Sequence, residues 1–193
     1  MEKQAWEILL AAYLLGSFPS AYLVTHLIRH KDIRKIGDGN MGAKNTLMSV
    51  GILAGIVVGV LDLAKGALAV AMARHFSSTD EIVLLAGACA ILGHDFPLFL
   101  RFKGGQGMAT MAGVFIMLFP LQMVLVLCAL IFTSLISHNW DLSCTVACVL
   151  LVVLLWLMGQ PPRRIIYTIL LLPTLGVRKL IQALHIRDAM AHR

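Results

Sequence analysis

An all-α integral membrane protein is predicted, a bundle of about seven transmembrane helices forming one domain over residues 1–193, and three observations predict it. Apolar residues fill 59% of the positions and charged residues 13%, against roughly 45–50% and about 25% in a soluble domain. Mean hydropathy is +0.86. Several apolar runs approach the roughly 20 residues that cross a bilayer, and polar or glycine- and proline-bearing breaks separate them. Seven such spans use about 140 residues, which leaves no extramembrane domain. A soluble enzyme is excluded, and so is a nucleic-acid binder, despite a net charge of +6. Any chemistry must be done by short loops and helix ends at the membrane surface.

The first span is expected over about Trp6–Ile28, interrupted by Gly16 and Pro19. Lys3 before it loosely resembles a signal peptide, but no small-residue cleavage site follows, so the span is read as retained. The polar segment Arg29–Lys44 comes next. Residues Asn45–Ala73 then form an apolar stretch that as one straight helix would measure about 43 Å, against a hydrocarbon core near 30 Å. It must tilt, kink or begin at the interface, and Gly51, Gly55 and Gly59 offer the bend and a small-residue face for close helix contact. A third span covers about Ile82–Leu100, with Ser78 as N-cap and Glu81 as the N3 partner of a capping box. Beyond the Arg101–Gln106 loop, spans are expected over about Gly107–Phe119, Leu121–Ser137 and Leu142–Met158, with a turn at Pro120. After a break at Gln160–Arg164 a last span, Ile165–Ile181, contains Pro173 and Gly176.

Loop charge sets the orientation. With the N-terminus outside, the Arg29–Lys44 loop, the Arg101–Lys103 loop and the C-terminal tail are cytoplasmic, holding eleven of the sixteen Lys and Arg residues. Cys89, Cys128, Cys144 and Cys148 lie in apolar runs without metal-ligand spacing, so they are read as buried small hydrophobes, not as a zinc site or disulfide framework.

Two glycine-rich segments share the basic face. Gly37-Asp38-Gly39-Asn40-Met41-Gly42 fits a dinucleotide fingerprint by letter, but the strand and sheet it requires are absent from the pattern. The physical principle survives: closely spaced glycines let backbone N–H groups converge on an anion, beside a helix expected to start near Asn45. Lys44 and the Arg34/Lys35 pair add mobile positive charge; a merely flexible basic loop is the alternative. In the second segment, His94 and Asp95 precede Lys103-Gly104-Gly105-Gln106-Gly107, which leads into a helix. A histidine and a carboxylate at a span's end are costly unless satisfied. Asp62 and Lys65, three apart, can form a structural ion pair or face a polar substrate. His75 and Asp80 have the spacing of an acyltransferase His-Asp pair, but on the outer side they are read as coincidence.

Gly37–Asn45, Leu61–Gly66 and Gly93–Thr110, in this order and spacing, resemble the bacterial acyl-phosphate-dependent glycerol-3-phosphate acyltransferase family (PlsY). The resemblance implies a seven-helix protein of the bacterial inner membrane with its working loops in the cytoplasm. It implies transfer of a fatty acyl group from acyl phosphate to glycerol 3-phosphate, giving lysophosphatidic acid within membrane lipid, with no metal or other cofactor. On matching positions it implies His94 and Lys65 as catalytic, and Gly37, Asp38, Gly39, Asn40, Gly42, Lys44, Asn45, Asp62, Lys103, Gly104, Gly105, Gln106 and Gly107 as substrate-binding. The chain differs from the family's usual residues at Asp38 (serine), Lys44 (threonine), Met48 (arginine) and Gln106 (lysine). Two other readings stand beside it: a relative that binds phosphate or lipid without turnover, and a small transporter, which would favour internal repeats.

Overall fold

The computed structural model describes residues 2–77 and 79–175, and every regular element among them is helical. Two compact units form, one built on residues up to Val114 and the other on Phe115–Pro173. Among the described residues, five helical stretches are long and apolar enough to cross a membrane: Gln4–Arg29, Ile52–Phe76, Asp80–Leu100, Pro120–Ser137 and Trp140–Leu157. Together with a shorter apolar helix, this is consistent with a bundle of about seven.

The first span is two helices end to end. α1 (Glu2–Gly16) and α2 (Ser20–Arg29) are separated by Ser17, Phe18 and Pro19. Pro19 has no N–H to donate, so the ladder cannot run through it. The 45–73 stretch breaks as its length demands. α3 (Ala43–Ser49) is a seven-residue piece, two residues earlier than the start near Asn45, and α4 (Ile52–Phe76) follows. The corner is Gly51 at φ 146°, a conformation open to a residue without Cβ. Arg29 Nη2 donates to the Val50 carbonyl at 3.1 Å, closing the corner. The expected small-residue face is used here: a Cβ at Gly55 would strike Leu47 of α3, and Gly59 faces the Ala43 methyl.

α5 (Asp80–Asp95) has Thr79 at its N-cap, not Ser78, and Thr79 makes no side-chain cap bond; Ser78 lies outside the described residues. Asp80 and Glu81 in the first turn suit the helix dipole. The helix stops at Asp95 because Pro97 cannot continue it, and a 3₁₀ turn, Leu98–Leu100, follows. α6 (Met108–Leu118) is about 16 Å long. Two reciprocal glycine contacts set how closely these helices approach. Gly16 of α1 lies on the Ala90 backbone while Gly93 of α5 lies on Tyr13 and Ser17; Gly66 of α4 lies on Thr110 while Gly113 of α6 lies on Leu63 and Ala67. A methyl at any of the four would meet backbone, which is the packing logic of small residues where lipid supplies no hydrophobic drive.

In the second unit α7 (Pro120–Ser137) starts after the single non-helical residue Phe119, with Pro120 in the first turn, where a missing N–H costs nothing. α8 (Trp140–Leu157) is capped by Asn139, whose side chain accepts from Leu142 N–H, and packs on α7. It ends on Gly159 in the left-handed region, with Gln160 N–H reaching the Leu155 carbonyl. The break is shorter than expected: helix resumes at 162 and continues through 175, past Pro173. The remainder of the expected last span, with Gly176 and the tail, lies outside the described residues. Cys128 is exposed on α7 and the other three cysteines are half-buried, so the thiols are less enclosed than expected.

Candidate functional site

α4 carries Asp62 and Lys65 one turn apart, and the structure buries both, with side chains 1% and 5% exposed. Lys65 Nζ lies 2.9 Å from Asp62 Oδ1. Its second partner is the Phe18 carbonyl at 3.1 Å, in the break between α1 and α2. Ser20 Oγ donates to the same Asp62 Oδ1. The break therefore exposes a backbone carbonyl and a hydroxyl at membrane depth, and the ion pair satisfies them, the condition under which irregular backbone is tolerated there. Of the two readings for this pair, the ion pair is formed, and it is formed beside the loops.

His94, in the last turn of α5, is buried beside it. Its Nδ1 is 3.6 Å from Asp62 Oδ1, longer than a hydrogen bond but close enough to feel the charge. Its backbone carbonyl accepts from Gly105 N–H at 3.2 Å. Gly105 is pressed between the His94 imidazole at Nε2 and the Met41 carbonyl, so a Cβ there would strike both. That residue is the joint at which the two glycine segments meet. Gly104 lies against the carbonyls of His94 and Asp95, and Gly107, at φ 69°, lies against the Asp95 carboxylate. Tyr13 OH of α1 donates to the Phe96 carbonyl at 2.8 Å, fixing the end of α5. A narrow cavity lined by Phe18, Ser20, Met41, Lys65, His94 and Pro97 opens at this junction.

The first loop is held by one amide. Asn45 is buried; its Nδ2 donates to the carbonyls of Asn40 at 3.0 Å, Ile36 at 3.1 Å and Ile33 at 3.4 Å. Its Oδ1 accepts from Asp38 N–H at 3.2 Å and Ser49 Oγ at 3.0 Å. Gly37, at φ 61°, sits directly on this amide, and Gly39 is also left-handed. The Asp38 carboxylate accepts Asn40 N–H at 2.9 Å, a local turn that spends charge on the loop's own backbone. Ile33 and Met41 plug the loop into a small core with Ala21, Ala54, Val58 and Leu100. Gly42 is the N-cap of α3, and Lys44 is exposed on its first turn.

The positive charge beside this loop is less mobile than expected. Arg34 Nε and Nη2 reach both Asp32 oxygens at 2.6–3.1 Å, Nη1 reaches the Leu100 carbonyl at 3.4 Å, and the guanidinium lies over the Tyr22 ring. The Arg34 side-chain hydrogen bonds hold the Asp32 carboxyl below its ordinary range, against a smaller opposing effect of desolvation. Lys35 stays exposed. Lys103 stands with Arg34, Lys35 and Arg101 around a separate cleft. Gln106 is half-buried in the turn.

Sequence reasoning grouped Lys65, Asp62, His94 and the two glycine segments, and the structure brings them together. It missed Ser20 and the Phe18 carbonyl; the signal was the Gly16–Pro19 interruption, which frees polar backbone opposite the only charged residues of α4's middle. It also missed Tyr13 and Met41, whose parts are visible only in the packing. Among the described residues no group of three His, Cys, Asp or Glu side chains is arranged to hold a metal ion.

The glycerol-3-phosphate acyltransferase family model matches residues 6–187. The chain belongs to that family. It is 40% identical over 176 residues to glycerol-3-phosphate acyltransferase 1 of Dehalococcoides mccartyi, covering 88% of this chain and 85% of that one. Its fold matches the crystal structure of PlsY, an integral membrane glycerol 3-phosphate acyltransferase, in the glycerol 3-phosphate form, with a TM-score of 0.85 at 26% identity, covering 96% of this chain and 92% of that one. The lysophosphatidic acid form of that protein matches with a TM-score of 0.80 at 25% identity and the same coverage. The chain is thus a multi-pass membrane protein of the acyltransferase fold.

Proposed function

We propose that this protein acylates glycerol 3-phosphate in phospholipid synthesis, using acyl phosphate as donor, at the cytoplasmic face of a bacterial inner membrane. The observation that carries the reading is the match over nearly the whole chain to a relative held with glycerol 3-phosphate and with lysophosphatidic acid. The relatives' names support acyl transfer over a binding protein without turnover or a small transporter. The concentration of basic residues on the two glycine loops supports their cytoplasmic placement.

Acyl phosphate is an activated mixed anhydride, so no protein nucleophile is required. The sn-1 hydroxyl oxygen of glycerol 3-phosphate attacks the acyl carbon, the acyl carbon–oxygen bond to phosphate breaks, and inorganic phosphate leaves with the hydroxyl proton. The protein must hold two phosphates close together and offset their repulsion. Gly37, Asp38, Gly39, Asn40, Gly42 and Lys44 form one wall of the substrate site, and Gly104, Gly105, Gln106 and Gly107 the other, while Lys103 stands apart from them around the separate cleft. Asn45 and Asp62 act indirectly, Asn45 by shaping the first loop and Asp62 by fixing Lys65. His94, with Nε2 at the joint, is suited to hydrogen-bond the attacking hydroxyl; Lys65 supplies fixed positive charge. Lysophosphatidic acid formation by purified protein from acyl phosphate and labelled glycerol 3-phosphate tests the reading. Product dependent on both substrates is expected; saturable substrate binding with no product would reject it.

A further inference from the structure

Away from the buried pair, Arg34, Lys35, Arg101 and Lys103 surround a surface cleft of about 470 Å³, with Asp32, Phe99 and Leu100 completing its walls. Two segments far apart in sequence build it, and they are joined: Arg34 reaches the Leu100 carbonyl at 3.4 Å. The only carboxylate in the lining is already engaged by Arg34, so four cations against one anion leave a net charge of about +3 around the opening. Arg34 is held from three sides, by Asp32, Leu100 and the Tyr22 ring, so one anchor of the cleft exists before anything binds.

The surroundings say what kind of anion fits. The cleft lies where two apolar stretches that can cross a membrane end, at Arg29 and at Leu100. Phe99, 61% exposed, lines the cleft, and its chain neighbours Leu98 and Phe102 are 49% and 55% exposed. Phe102 adopts the left-handed φ of 61°, an uncommon conformation for a bulky residue. A site for a small soluble anion has no use for an open phenyl ring in its wall. A lipid does: acyl chains cover the apolar side chains while the headgroup phosphate meets the cations, the arrangement of interfacial lipid recognition.

We propose that the Arg34–Lys35–Arg101–Lys103 cleft binds the phosphate headgroup of an anionic bilayer phospholipid. The site is separate from the Lys65–Asp62–His94 junction, and it stands whether or not the acyl-transfer reading holds. Binding anchors the 3₁₀ turns Ile33–Lys35 and Leu98–Leu100 to the bilayer surface, and with them the roots of both glycine loops.

The test uses the full chain in nonionic detergent, titrated with fluorescent phosphatidylglycerol and, separately, fluorescent phosphatidylcholine. The wild type should prefer phosphatidylglycerol at least ten-fold at low salt, and the preference should fall several-fold between about 50 and 300 mM salt. Lys35→Gln with Arg101→Gln should weaken phosphatidylglycerol binding roughly ten- to thirty-fold and leave phosphatidylcholine unchanged. Lys35→Arg with Arg101→Lys should retain it. Absence of a headgroup preference in the wild type overturns the proposal, which needs no variant to fold. Equal affinity in the neutral variant overturns it as well. Displacement of the lipid by low-millimolar glycerol 3-phosphate or inorganic phosphate also overturns it, reassigning the cleft to free phosphate.

Discussion

Asp62 and Lys65 form an ion pair at 2.9 Å inside α4, with Lys65 also holding the Phe18 carbonyl of the broken first span. One pair thus serves two purposes, neutralising two charges at membrane depth and stapling α4 to the junction between α1 and α2. Removing one partner leaves the other buried and uncompensated, which costs roughly 3–5 kcal/mol, whereas removing both costs far less. Lys65→Met should therefore lower the thermal midpoint in detergent sharply. The double variant Asp62→Asn with Lys65→Met should recover at least half of that loss while remaining inactive. Full turnover in the stable double variant would reduce Lys65 to a structural residue.

The reciprocal glycine contacts give a second expectation. A methyl at Gly16 meets the Ala90 backbone, which cannot step aside, so Gly16→Ala should cost about 1–3 kcal/mol as α1 and α5 are forced apart. Gly59→Ala is the control on α4, since its Cβ would lie 3.5 Å from the Ala43 Cβ, an ordinary contact. That variant should be neutral or gain up to about 1 kcal/mol from helix propensity. Melting curves of the two proteins under one set of conditions decide it, and equal losses would show that the close approach is not what limits packing.

Asn45 makes a third. Asn45→Asp preserves shape but replaces an NH₂ that serves three carbonyls with an oxygen. Leaving those groups unpaired costs roughly 1–3 kcal/mol, confined to the loop. Amide exchange over residues 37–42 should accelerate and KM for glycerol 3-phosphate should rise about ten-fold, with helix content unchanged. An unaltered KM would mean that the loop's shape does not matter to substrate.

Asp32 supplies a pH dependence. Its folded pKa is lowered, first by the Arg34 side-chain hydrogen bonds, so the pair's contribution is fully present above the ordinary carboxylate pKa of about 3.9 and is lost as pH falls through the lower folded value. Because both side chains are partly solvated, at 29% and 19% exposure, the effect is at most about 1 kcal/mol. Wild type should lose slightly more stability than Asp32→Asn between pH 5 and pH 2.5, measured by melting. Parallel curves would show that the clamp on Arg34 is not electrostatic.

What the sequence by itself determined follows from constraints that act locally. Hydrocarbon thickness forced the 45–73 stretch to break, and a glycine at the corner is where it breaks; Pro19 and Pro97 end helices because they lack an N–H. The two glycine segments and the Asp62–Lys65 pair were legible because their residue types are costly or permissive wherever they stand. Partner choice was not legible. Arg34 is adjacent to Lys35 in the chain and reads as mobile charge, yet Asp32 and a carbonyl 66 residues away immobilise it. Asn45 reads as a ligand for substrate, yet in the folded loop its amide is spent on three carbonyls. Gly105 reads, by the resemblance, as a substrate-binding glycine, and only packing places it between His94 and Met41. Hydrogen-bond partners and close approaches between helices depend on which backbones come together, and no local pattern carries that information. Tertiary structure alone decided that the two glycine loops share one joint above one buried ion pair.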